Sequence, residues 1–389
     1  MQQSLLNLVV AGGGEGTYGR LWKAITGANP ALDMRLAAVM DTKPLEELDP
    51  RMQKIIADNG VDFVRVIRSK DGGMRFSEPP KSYNNPVFVV MSPNDSHMAW
   101  AKYARNNDSR AFVEKPVATS IGDAHTFAAM AHDKPGRLYG VEFCTDGKGL
   151  GLLLAAGKID QSDLRYGYLE IKAPEGMDPY GIYDTFAHRM GPLRYVTGTL
   201  LEGQGTTATA DHRPWLLEGH HGGMIRDLAS HLFGPLWEAG LITSETENTQ
   251  VTLGYHDPGM EPGKWRPLAS PEEGETFARM VGSFRGPQQN RVEFDLRVGK
   301  YWPKNNCMLA LQFQHGTAVL SYEKPYTFQF ECAGEDPVSI SVTADPYALT
   351  LLDFRQFSEG RQDGHIERAV AIVEFNETMR YLGLRALGL

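Results

Sequence analysis

Leu5-Leu6-Asn7-Leu8-Val9-Val10-Ala11 runs directly into Gly12-Gly13-Gly14-Glu15-Gly16-Thr17-Tyr18-Gly19. A short apolar run that stops at glycines reads as a strand and a tight turn, and residues 17–27 then read as a helix. Gly14, Gly16 and Gly19 fit G-x-G-x-x-G around Thr17. In that motif one glycine permits the turn, one lets a pyrophosphate approach the backbone, and one lets helix and strand pack closely. The helix start adds N–H donors and a positive dipole end. Read in this register the turn is slightly long, because Gly12 stands where the first glycine often falls.

The residues that follow repeat the alternation. Strand-like runs at 34–40, 62–67, 87–91, 111–113 and 138–143 are separated by helical spacing at 44–59, 94–105 and 120–132, the last capped by Ser120 with Asp123. Strands alternating with helices predict a parallel, doubly wound sheet, a Rossmann dinucleotide-binding domain over residues 1–143. Asp41 ends the second strand, about 20 residues beyond the glycines, where an acid accepts hydrogen bonds from the adenosine ribose. It would repel a 2′-phosphate, so NAD is the expected cofactor. Lys43 is the residue that would favour NADP instead.

The pattern changes after residue 143. Runs at 164–172, 249–256, 277–284, 291–298, 307–315, 317–322 and 327–332 follow one another with few helices between them. They predict an α+β domain over 144–389 with a large, mainly antiparallel open sheet. Such a sheet needs both faces covered, which predicts a homodimer or homotetramer. Residues 174–222 show little periodicity and are rich in Gly, Pro, His and Tyr, as functional loops often are. Residues 363–387 form a long amphipathic helix, placed with the second domain or packed back on the first.

Composition bounds the rest. A chain of 389 residues is longer than one core usually serves. The net charge of −9 argues against a nucleic-acid partner. Cys144, Cys307 and Cys332 are far apart, fit no zinc spacing and suit a reducing cytoplasm. The N-terminus shows no export signal, and no apolar run approaches the roughly 18 residues of a membrane span.

Four stretches together resemble the glucose–fructose oxidoreductase / inositol dehydrogenase family. They are the glycine turn, Met91-Ser92-Pro93-Asn94-Asp95-Ser96-His97, Val113-Glu114-Lys115-Pro116, and Gly222-Gly223-Met224-Ile225-Arg226-Asp227-Leu228-Ala229-Ser230-His231. The likeness spans nearly the whole chain. Departures are Ala229 where members often have glycine, Gly234 where they often have an acid, and Asp146 near the place of a usual arginine. The resemblance implies a cis bond before Pro116 and an NAD(P)-dependent oxidoreductase acting on a sugar or cyclitol. It implies that Ser92, Pro93, Asn94, His97, Glu114 and Lys115 join Gly14, Gly16, Thr17, Gly19 and Asp41 around the cofactor.

Residue chemistry gives the roles. Lys115, at the carboxyl edge of the parallel sheet, can stabilise an alkoxide as hydride leaves. Asp227 and His231 share one helical face without needing burial in the core; the histidine can take the hydroxyl proton and the aspartate can position a neighbouring hydroxyl. Tyr183, His188, Arg213, Trp215, His220 and His221, from the irregular segment, are candidates for lining a polyhydroxylated substrate. No metal site is expected, since adjacent histidines point apart and no zinc motif surrounds them. Two other functions fit the same residues: glycoside processing by transient oxidation with tightly held NAD, and dinucleotide binding without turnover.

Overall fold

The structure, a computed structural model, describes residues 5–27, 32–68, 74–76, 83–84, 86–203 and 214–389. The chain forms two compact units, Met1–Val141 with Tyr347–Val370, and Glu142–Pro346 with Ala371–Leu389. The second unit is therefore interrupted in sequence by a segment that returns to the first. Among the described residues no helix is long and apolar enough to cross a membrane.

The first unit is built on a seven-stranded sheet. Its strands are β1 (Leu6–Ala11), β2 (Met34–Asp41), β3 (Asp62–Arg68), β4 (Met74–Phe76), β5 (Pro86–Val90), β6 (Arg110–Val113) and β7 (Leu138–Gly140). Their order is β4-β3-β2-β1-β5-β6-β7. All neighbours are parallel except β3 and β4. The strand order reverses beside β1, and ligands of open α/β sheets bind outside the carboxyl ends of strands at such a switch point. Parallel strands are covered on both faces, which is why β1, β5 and β6 are almost entirely apolar and buried.

Two boundaries differ from the sequence reading. The helix expected at 44–59 begins at Pro50, because Asp49 caps it by accepting from the Arg51 N–H at 2.9 Å. The last strand stops at Gly140, and a turn of helix begins within the next few residues. The returning segment brings the helix Pro346–Ser358, which the sequence reading did not separate. Its Phe354 meets Phe112 and Tyr139 edge-on, over a stacked Phe112–Tyr139 pair.

The second unit carries a ten-stranded sheet. Its strands are β8 (Leu169–Lys172), β9 (Leu193–Gly203), β10 (Thr246–Tyr255), β11 (Arg266–Pro267), β12 (Phe277–Arg285), β13 (Arg291–Trp302), β14 (Asn306–Phe313), β15 (Gly316–Ser321), β16 (Thr327–Cys332) and β17 (Val338–Val342). The order is β11-β10-β12-β13-β9-β14-β15-β16-β17-β8, antiparallel except for β13 against β9. The long central strand β9 lies in the stretch read from sequence as irregular. Its alternation is broken at Gly198, where a Cβ would stand 2.7 Å from the Leu296 side chain and 3.2 Å from that of Leu232. The helix Ser230–Glu238 packs on the sheet here, so a glycine inside a strand marks a close approach.

Candidate functional site

In the first unit, four adjacent strands end side by side. Asp41 closes β2, Gly12 to Gly14 follow β1, Ser92 to Asn94 follow β5, and Glu114-Lys115 follow β6. The conformationally demanding glycine of the turn is Gly12, not Gly14. It has φ +109°, and a Cβ there would stand 2.9 Å from the Met91 carbonyl oxygen. At Gly14 a Cβ would meet nothing within 4 Å, so this is where a ligand phosphate can reach the backbone. Thr17 is buried, and its hydroxyl donates to the Gly12 carbonyl at 2.5 Å. The turn therefore has the register Gly12-x-Gly14-x-x-Thr17 and is not long; Gly16 and Gly19 lie within the helix.

The Asp41 carboxylate accepts from the Gly13 N–H at 2.6 Å and the Lys43 N–H at 2.9 Å. The acid is thereby fixed against the turn, and Lys43 contributes its backbone to that arrangement. An open glycine backbone, a helix N-terminus and an anchored acid at the end of β2 together fit a dinucleotide.

His97 has a different place from the one expected. Its ring is buried, with Nδ1 2.8 Å from the Pro116 carbonyl and Nε2 2.8 Å from the Ser92 carbonyl. Burial pushes its pKa down. Each nitrogen faces a backbone carbonyl, and the neutral ring donates its one N–H to one of them, so His97 packs between the loop after β5 and the loop after β6. The Ser92 and Ser96 hydroxyls lie 2.5 Å apart, and Ser96 Oγ donates to the Pro93 carbonyl. The Lys115–Pro116 peptide is cis. Lys115 is half-buried, and the neighbouring Glu114 accepts from the Tyr347 hydroxyl at 3.0 Å. Burial and Glu114 raise the Tyr347 pKa well above its ordinary value, which keeps the phenol a donor.

In the second unit, Gly222-Gly223 opens the helical segment that bears Asp227 and His231. Gly223 has φ +94°, and a Cβ on it would collide with the Glu275 carboxylate; one on Gly222 would collide with the Trp215 and Leu216 carbonyls. The buried Glu275 accepts from the Ile225 N–H at 3.0 Å and so caps the segment. Arg226 is buried too, and its guanidinium forms an ion pair with Glu377 at 2.6 Å. A π turn, Ile225–Ala229, runs into the helix Ser230–Glu238.

Helical angles placed the pair on one face without needing burial in the core, and the structure buries both. Asp227 and His231 are 8% and 4% exposed. Their burial is made tolerable by partners that sequence reasoning missed. Lys300, on β13, lies 3.4 Å from the Asp227 carboxylate and 2.5 Å from that of Glu202. Glu142, fully buried, hydrogen-bonds His231 Nδ1 through Oε1. Its Oε2 accepts the Thr145 N–H and hydroxyl, each at 2.7 Å. The Tyr322 hydroxyl donates to the His231 carbonyl at 2.6 Å. Lys300 had a signal in the sequence: it shares the core-facing side of β13 with Leu296 and Val298, an odd place for a lysine.

The substrate candidates separate into two groups. Trp215, His220 and His221 lie just before the Gly222-Gly223 pair. Tyr183 and His188 instead line a cleft of about 410 Å³ with Leu193, Gly240 and Asn290. That cleft sits where β9 begins and where the helix Ser230–Glu238 has ended, whereas Lys300 pairs near the far end of β9. Tyr183 and His188 therefore do not share a pocket with Asp227. Arg213 lies outside the described residues. The donor atoms of Glu142, Cys144 and His231 lie within 4.8 Å of one another, but the carboxylate and imidazole already bond each other.

Comparison with known proteins fits this geometry. Residues 7–143 match the family described as "Oxidoreductase family, NAD-binding Rossmann fold". That family is the one the four motifs resemble, and the matched residues lie in the first unit up to its end and just beyond. No curated protein matches the chain in sequence. Among solved structures, levoglucosan dehydrogenase in complex with NADH and levoglucosan is similar at 13% identity over 98% of this chain and 97% of that one, with a TM-score of 0.66. UDP-N-acetylglucosamine 3-dehydrogenase from Acidithiobacillus ferrooxidans is 13% identical over 98% of each chain, with a TM-score of 0.61. An oxidoreductase domain protein from Kribbella flavida is 12% identical over 99% of this chain and 98% of that one, at 0.67. At such identities the likeness shows the shared fold.

Proposed function

We propose that the protein is an NAD-dependent dehydrogenase that oxidises a secondary alcohol of a sugar, sugar derivative or cyclitol, and reduces the matching ketone in reverse. The carrying observation is the pair of buried, partnered side chains on one helical segment, His231 with Glu142 and Asp227 with Lys300. Isolated burial of such groups would cost several kcal/mol, roughly. Their presence in a chain whose residues 7–143 match an NAD-binding family supports a chemical purpose.

Bound nicotinamide supplies the hydride acceptor. The remaining work falls to side chains. His231 accepts the hydroxyl proton. Lys115 stabilises the alkoxide that develops as hydride leaves. Asp227, ion-paired with Lys300, accepts a hydrogen bond from a neighbouring hydroxyl and orients the ring. Asp41 favours NAD over NADP, because its anchored carboxylate repels a 2′-phosphate. The structural resemblance to two sugar dehydrogenases supports a polyhydroxylated substrate. The three cysteines are free thiols, which suits the cytoplasm.

We further propose self-association through the large sheet. Tyr195, Val281 and Val319 are exposed on its strands, beside an Arg279–Asp295–Arg297 ion cluster. Sedimentation at micromolar concentration then shows a dimer or tetramer of the 43.1 kDa chain; a monomer alone contradicts this.

The test of function is a panel of sugars, cyclitols and their phosphates, including levoglucosan and myo-inositol, with NAD and NADP. Absorbance of the reduced cofactor rises with at least one alcohol and NAD. No rise with any member, while NAD binds tightly, favours binding without turnover.

A further inference from the structure

The sequence placed no residue behind His231, yet the structure puts a fully buried carboxylate there. Glu142 comes from the turn after β7, far from His231 in sequence, and its two oxygens have separate duties. Oε2 takes both Thr145 donors, and Oε1 meets His231 Nδ1. Two donated hydrogen bonds favour an ionised carboxylate. An ionised carboxylate can only accept, so Nδ1 must carry the proton. Protonation at Nδ1 leaves Nε2 as the basic nitrogen of the neutral ring.

The surroundings hold this pairing in place. A Cβ at Gly234 would stand 2.7 Å from Thr145 Oγ1 and 3.4 Å from Glu142 Oε2. Glycine at that position is what makes room for the carboxylate on the face of the helix that bears His231. Phe143 packs edge-on against the imidazole with ring centroids 4.8 Å apart, which limits ring rotation.

We propose that Glu142 is a positioning residue: its buried carboxylate holds the Nδ1 proton of His231 and presents Nε2 as the base for the substrate hydroxyl. The proposal rests on the dehydrogenase reading for its chemistry and on the Glu142–His231 contact for its geometry. Charged and titratable groups on the elements packed around the ring include Glu142, Cys144, Asp146, which accepts from the Glu142 N–H, Lys148 over the Phe143 ring, the Tyr322 hydroxyl and, one turn earlier, Asp227. Glu142 hydrogen-bonds the ring at Nδ1. An anion there favours the protonated imidazole, so removing it lowers the pH at which the ring titrates.

The test combines spectroscopy with kinetics on the full-length protein carrying ¹⁵N-labelled histidine. His231→Asn identifies the His231 signals by their loss. The wild type shows an Nδ1-protonated ring with a far-downfield proton. Glu142→Gln, nearly the same shape, loses that downfield proton and titrates at lower pH. With the best alcohol of the panel and NAD, its kcat falls by about 10- to 100-fold with KM changed by less than about twofold. The acid limb of its pH profile moves down together with the ring. Thr145→Val keeps the carboxylate and removes one of its donors, so its effects lie between the two.

An Nε2-protonated ring in the wild type overturns the proposal. So does a Glu142→Gln ring with unaltered tautomer and titration, even if kcat falls. If the spectra are as expected but the wild type oxidises no alcohol, the dehydrogenase reading fails and the catalytic purpose of the pairing fails with it.

Discussion

The two units solve the placement of functional groups in different ways. In the first, the groups around the ligand edge are short, contiguous stretches at the ends of neighbouring strands, and much of the work is done by backbone. Gly12, Gly14 and Asp41 act through a turn, an open approach and a loop anchor. In the second, two side chains on one helical segment depend on partners brought from elsewhere, Glu142 from a turn and Lys300 from a strand. Backbone devices leave motifs in a sequence. Side-chain partnerships across a fold leave single residues that look ordinary.

The largest expected effect separates the units by chemistry. His231→Ala lowers turnover by about two to four powers of ten, the range for a lost general base. Lys115→Ala lowers it by about two to three powers of ten, as loss of an oxyanion stabiliser does. The proposed mechanism has both serve one transition state, so on it the double variant loses less than the product of the two. Steady-state kinetics of the three enzymes check this, and full additivity contradicts a shared step.

The next effect is on stability and should be confined to the second unit. Lys300→Met leaves the Asp227 and Glu202 carboxylates without their ammonium partner. Breaking a buried ion pair from one side costs about 3–5 kcal/mol, read as a lower urea midpoint. Lys300→Met with Asp227→Asn restores part of the loss, because one stranded charge is gone. A single variant as stable as the wild type would show that the pair is better solvated than its burial indicates.

Two glycine substitutions sharpen the contrast within the first unit. Gly12→Ala forces a side chain into positive φ and against the Met91 carbonyl. It destabilises by more than the roughly 1 kcal/mol that a Gly-to-Ala change can gain where the conformation is compatible. Gly14→Ala meets open space, so thermal stability is retained while NAD affinity falls. Equal melting temperatures for the two variants would contradict the register Gly12-x-Gly14-x-x-Thr17.

The smallest effect is electrostatic and far from chemistry. Hydrogen bonds from Arg51 lower the Asp49 pKa to about 2. Because the folded value is depressed, this cap stabilises fully above the unfolded value near 4. The contribution fades as pH falls through about 2. Asp49→Ala costs about 1 kcal/mol at neutral pH, and the difference from wild type shrinks in acid. A difference independent of pH would assign the effect to something other than the carboxylate.

Legibility in the sequence follows the same division. The parallel sheet was readable from apolar runs ending at Gly12, Asp41, Ser92 and Glu114, because buried parallel strands carry few polar interruptions. Strand β9 was hidden by Gly198, whose missing side chain serves close packing and erases the alternation. Asp227 and His231 were visible as a spaced pair, but their burial was not, since the helical angle says nothing of what faces them. Glu142 lies four residues before Asp146 and belongs to none of the four motifs. Its meaning emerged with Gly234 and Thr145, which the fold brings together. His97 was misplaced for a related reason: a histidine in a motif shows where a ring is, but not which atoms its nitrogens bond.

The division of labour is tested most directly by titrating NAD into wild-type, Gly14→Ala and His231→Ala protein by calorimetry, with turnover of the best alcohol measured on the same samples. The account predicts that His231→Ala binds NAD as the wild type does while turnover falls by at least about a hundredfold, and that Gly14→Ala loses NAD affinity without unfolding. A His231→Ala protein that turns over normally, or one whose NAD affinity collapses, contradicts it.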